Sequence, residues 1–241
     1  MDNIELNIPE AERKAQNTTV KNHLHVFELV TTMLNLYIHG FNLTEKLGDK
    51  NSDIDWVWLF LTVRSFHSIR CSVELMKKAY YAQAVSLIRM VTEAYFLCGN
   101  CENDKTIADA VLHNKPNRPD GKTVFNYKDL AKRMGSLAIY ENDYIHECNF
   151  SHTSSLSLGI MTTKVSPTNR ELPLVPTYDE ILFIGCCELA FRNGLLMASF
   201  LEQLLDHLSK ENVKTWRIKQ KAGVQQIQEW LGGLKERYGN R

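Results

Sequence analysis

Apolar residues recur at spacings of three and four along most of the chain, the mark of amphipathic helices. Over 19–47 the stripe runs through Leu24, Phe27, Val30, Leu34, Ile38 and Phe41, with Gly40 placed to kink or end the helix. Ser52, with Asp55 three positions on, opens a second helix over 52–78 that is dense in large side chains, among them Trp56, Trp58, Phe60, Phe66 and Ile69. A third helix follows after a very short junction, over 79–98. Its Tyr81, Ala84, Val85, Ile88, Val91, Thr92 and Tyr95 make one largely apolar face, and Leu87, Met90, Ala94 and Leu97 cover the opposite side. A helix apolar nearly all round belongs at the centre of a fold. Ser86, Arg89 and Glu93 leave a narrow polar stripe on it.

Past Gly99 the pattern breaks into a short helix over 106–112 and a polar loop, HNKPNRPDGK. Asn126, with Asp129 three on, caps a helix that stops at Gly135. The helix predicted over 137–151 and its end hold Tyr140, Asp143, Tyr144, His146, Glu147, Asn149 and His152. The stretch 153–176 is rich in Ser, Thr and Pro, with β-like runs at 157–163 and 172–175 that fit a lid or a small hairpin. Thr177 with Glu180 reads as a capping box opening a long helix to about Ser209, and a last amphipathic helix covers 212–238. The fold class expected is all-α, an up-and-down bundle of six to eight helices with one irregular insertion. Residues 1–18 form a loosely ordered lead-in, 19–209 the bundle domain, and 210–241 a helix docking on the bundle or on a partner.

Composition narrows the setting. The chain has 28 basic and 28 acidic residues, so no overall field draws it to nucleic acid or membrane. The N-terminal stretch lacks the layout of a signal peptide, and no window reaches the ~18 uninterrupted apolar residues of a membrane span. Six scattered cysteines are read as reduced thiols, so a cytoplasmic location is expected.

The leading polar constellation is Arg89 and Glu93, four apart on the central helix, with Tyr144, His146 and His152 ahead of the irregular stretch. If the 137–151 helix packs on 79–98, an arginine able to hold a phosphate or carboxylate meets histidines able to move protons. His146 and His152 are six apart and point different ways, so one of them at most meets Arg89. The same residues also suit a satisfied buried network that fixes helix register. Cys98 and Cys101 with Cys148 and His152 offer four zinc ligands, but Cys98 at a helix end and Cys148 inside a helix suit core thiols better. No metal or cofactor is expected.

The phrase YYAQAVSLIRMVTEA resembles the Leu-x-Arg-x-x-x-Glu helix of an uncharacterised family of bacterial all-helical proteins. YIHECNFSHTS is similar to that family's Tyr…Ser-x-x-His-x-Ser segment, with Asn149 where the family has its first serine. The resemblance implies a helical fold and marks Arg89, Glu93 and His152 as the family's polar positions. More distantly, the chain looks like HEPN-type helical domains, many of which are metal-independent ribonucleases of toxin and phage-defence systems that pair as homodimers. Their Arg and His stand close together on one helix. Here Arg64 and His67 have two residues between them and Arg133 and His146 twelve, so that signature is absent. The resemblance implies RNA as substrate, with Arg89, Glu93, Tyr144, His146 and His152 as candidate catalytic residues. The alternative is a non-catalytic helical module that binds a small anion or a protein partner. The segment 210–241, with eight basic residues against three acidic, suits a solvated basic helix face.

Overall fold

The computed structural model describes residues 7–44, 52–151, 163–166, 169–171 and 175–238. The chain is all-α. Its helices are α1 (Ile8–Asn22), α2 (Leu24–Leu43), α3 (Asp53–Lys77), α4 (Tyr81–Cys98), α5 (Lys105–His113), α6 (Tyr127–Arg133), α7 (Leu137–Ile139), a π-helical turn (Tyr140–Tyr144), α8 (Ile145–Ser151), α9 (Glu180–Leu208) and α10 (Lys210–Tyr238). A short antiparallel pair joins β1 (Thr163–Ser166) to β2 (Asn169–Glu171). The β-like runs expected at 157–163 and 172–175 lie almost wholly outside the described residues.

Local chemistry sets the helix ends. Ser52 and Asp55 close a reciprocal capping box at the start of α3, and Asn126 caps α6 with its side chain on the Asp129 amide, both as the spacing predicts. Three boundaries differ from expectation. α1 starts at Ile8, within the stretch expected to be a loose lead-in. Asn7 caps it, and Lys78 and Tyr80 hold its Glu12 at 2.9 Å each. The single helix expected over 19–47 is two, because the backbone breaks at His23. That buried ring stacks on Phe183 and lies 2.7 Å from the Tyr178 hydroxyl. α9 is capped by Asp179, whose carboxylate accepts the Leu182 amide at 2.9 Å, two residues past the Thr177 box.

Two helices form the centre. α4 lies against α3, α9 and α8 and touches α6 and the π turn, while α9 packs on α2, α3, α4 and α10. α9 is long and apolar enough by composition to cross a membrane; 56% of that window is buried inside the bundle. Trp58 fastens α3 to the end of α4, its indole donating to the Cys98 carbonyl at 3.1 Å. The Tyr37 hydroxyl of α2 donates to the Gly194 carbonyl of α9 at 2.6 Å, and Trp216 of α10 donates to the Leu36 carbonyl at 3.1 Å.

α2, α9 and α10 meet at Gly40, where an added Cβ would lie 2.8 Å from Leu201 Cγ and 3.2 Å from the Trp216 indole nitrogen. Overpacking of this kind costs about 1–3 kcal/mol. It opposes the ~1 kcal/mol of helix propensity that alanine adds. Gly40→Ala is therefore expected to lower the urea midpoint, and a raised midpoint would show that this three-helix contact has slack.

Candidate functional site

The predicted meeting of the 137–151 segment with α4 is present, and it forms a polar seam that runs from solvent into the core. At the outer end Arg89 Nε is 3.4 Å from Glu93 Oε1, with the two side chains 25% and 18% exposed. The Tyr144 hydroxyl donates to the same Glu93 oxygen at 3.3 Å. Tyr127 of α6 packs against Tyr144, with ring centroids 5.4 Å apart. Burial pushes the Tyr127 phenol well above its ordinary range; Glu93 adds to this, while Arg64 and Arg89 oppose it. Burial likewise raises Tyr144, with Glu93 adding to it. Both phenols are held neutral as hydrogen-bonding groups.

One turn further in, the seam is dry. Glu147 is fully buried, and its Oε1 accepts from Thr92 Oγ1 of α4 at 3.0 Å and from Asn193 Nδ2 of α9 at 2.7 Å. Asp143, also buried, meets Arg192 of α9 at 3.0 Å. The π turn places Asp143 there, and such turns gather at functional positions. Burial is the largest influence on both carboxyls. It raises Asp143 in spite of Arg192, and it pushes Glu147 up to about 7 against the two bonds that favour its charged form, with Asp143 and Glu93 adding to the rise.

Of the sequence-predicted site residues, Arg89, Glu93 and Tyr144 come together. His146 does not: it is exposed, and its ring lies 4.8 Å from Phe150 on its own helix. Tyr144 and Glu147 are three apart and share the face turned to α4, which leaves the intervening His146 outward. His152 lies outside the described residues. The zinc set is not assembled among the described residues, where no three His, Cys, Asp or Glu side chains are placed to hold a metal. Cys98 and Cys101 are buried core thiols. Burial drives Cys98 well up and Cys101 to about 12, and the Cys101 thiol donates to the Cys98 carbonyl. Such thiols are poor sources of the thiolates a zinc site needs.

The sequence reading missed Thr92, Glu147, Asn193, Asp143 and Arg192 as one cluster. Two signals pointed to it: Asp143 and Glu147 stand four apart on one helix, and Glu188, Arg192 and Asn193 interrupt the apolar run of α9. No family model, curated protein or solved structure matches this chain.

A carboxyl whose native pKa lies above its unfolded value binds its proton more tightly in the folded state. Its stabilising effect is complete below the unfolded value of 4.5 and is lost as pH rises towards about 7. At 1.36 kcal/mol per unit the loss approaches about 3 kcal/mol. Glu147→Gln keeps an acceptor for Thr92 and Asn193 and has no proton to lose. The difference in urea stability between parent and variant is therefore expected to shift in the variant's favour between pH 5 and pH 8. A difference that does not move with pH would show that Glu147 ionises normally.

Proposed function

We propose that the chain is a non-catalytic helical module that binds an anionic group at the outer end of the seam. The supporting observation is Arg89 at the water side of the seam, paired with Glu93 at 3.4 Å and a quarter exposed, with the charge of Arg64 also felt at the neighbouring Tyr127. Arg64 is exposed and Arg89 partly so, which leaves guanidinium surface for a phosphate or carboxylate. Tyr144 and Glu93 hold the floor of this cluster, and the dry layer beneath holds Tyr144.

A metal-independent ribonuclease of a toxin or defence system, as the HEPN resemblance implies, is the second reading. The packing of α8 on α4 beside Arg89 favours it. The outward His146 ring counts against it, since a proton-transferring group must reach the phosphate that Arg89 would hold.

Thermal unfolding with inorganic phosphate, nucleoside mono- and diphosphates and a short oligoribonucleotide separates the two. At a hundred times its Kd a ligand adds about 2.7 kcal/mol of stability. In a chain of this size that raises Tm by roughly 5–10 °C. At least one of these anions is expected to do so for the parent and none for Arg89→Ala. A shift that survives in Arg89→Ala, or no shift with any of them, overturns the binding reading. Oligoribonucleotide cleavage lost in both Arg89→Ala and His146→Ala replaces it with the nuclease.

A further inference from the structure

The outward face of α3 carries Trp56, Phe60, Arg64, His67 and Arg70 at spacings of four, four, three and three, all exposed. At the helical rise this stripe is about 21 Å long. Trp56 is 40% exposed and Phe60 53%, and neither ring lies against another aromatic ring among the described residues. Arg64 and Arg70 have no ion-pair partner among the described residues, and Glu74, the carboxylate one turn past Arg70, is taken by Lys77 at 2.7 Å. A Trp and a Phe in line, followed by two unpaired guanidinium groups, is the residue mix that anchors protein interfaces. Elsewhere α3 is well used: its inner face packs on α4 and α9.

We propose that this face docks an amphipathic helix of a partner protein, with apolar side chains on Trp56 and Phe60 and carboxylates opposite Arg64 and Arg70. Charge complementarity selects the occupant. A nucleic acid strand fits less well, because the basic run spans only Arg64 to Arg70, is bounded by exposed Asp53 and Glu74, and belongs to a chain of zero net charge. A helix lying along this face would carry apolar positions at i, i+3 or i+4 in its first half and acidic ones on the same face in its second. A single helix face of this size makes a small interface, at the transient end of the range.

The test uses the full chain and two fluorescein-labelled synthetic helices of about 18 residues, five turns, read by anisotropy. One has leucines followed by glutamates on one face; in the other, lysines replace the glutamates. The glutamate helix is expected to bind at least tenfold more tightly than the lysine helix and to protect the exposed Cys71 thiol on the same face from alkylation. The double variant Trp56→Ala/Phe60→Ala is expected to weaken it at least tenfold, and Arg70→Glu to abolish the preference between the two helices. Arg64, shared with the anion site, stays native, and Trp56, Phe60 and Arg70 lie outside that site, so failure here is read separately from failure of the anion site at Arg89. Equal binding of both helices, binding of neither, or a preference unchanged by Arg70→Glu overturns the proposal. So does tighter binding of an oligouridylate that needs Trp56 and Phe60, or a dimer in sedimentation that the double variant abolishes.

Discussion

A carboxyl group with no access to water sits where three helices meet, and hydrogen bonds to it key two of them to the third. Glu147 takes one hydrogen bond from Thr92 of α4 and one from Asn193 of α9. Burying such a group without partners costs several kcal/mol, so a slip of any of the three helices along its neighbours is opposed by that cost. Asp143 and Arg192 tie the same two segments together one turn away. Apolar packing alone would tolerate other registers of α8 on α4. Two bonds of fixed geometry do not.

Along α4 the seam passes from a buried brace to a solvent-facing cluster. Thr92 and Glu147 lie in the dry interior, Tyr144 and Glu93 at its boundary, and Arg89 with Arg64 at the water side. Polarity and exposure rise together over barely one helical turn. A ligand group arriving at Arg89 would contact side chains whose positions are set from beneath, and pre-set groups lose less freedom on binding than mobile ones.

Much of the fold was legible because it rests on local signals. The Ser52 and Asn126 caps, the central place of the 79–98 helix and the all-α class all follow from spacing and side-chain type. The break at His23 was not legible, since it depends on Tyr178 and Phe183, about 155–160 residues away. The cap at Asp179 was missed for a simpler reason: Thr177 offered an equally good local pattern. For the site, spacing paired Arg89 with Glu93 and brought Tyr144 near them. It could not tell which side of the 137–151 helix faces α4. That is decided by partners on α9, so the exposed His146 seemed as good a candidate as the buried Glu147.

The bonds that seat α2 have a consequence in time. Tyr37 and Leu36 are held by Gly194 and Trp216, partners made some 157 and 180 residues later. α2 can coil early and meet α3 through Tyr37 and Phe41 against Phe66, but the surfaces that α9 and α10 cover wait until those helices are made. Contacts of such separation close slowly and leave apolar surface uncovered meanwhile. Until α9 and α10 are made, Tyr37 and the Leu36 carbonyl lack the partners that hold them in the finished fold. α3 and α4 follow each other directly and cover one another, so the apolar face of α2 waits longer for its cover than theirs.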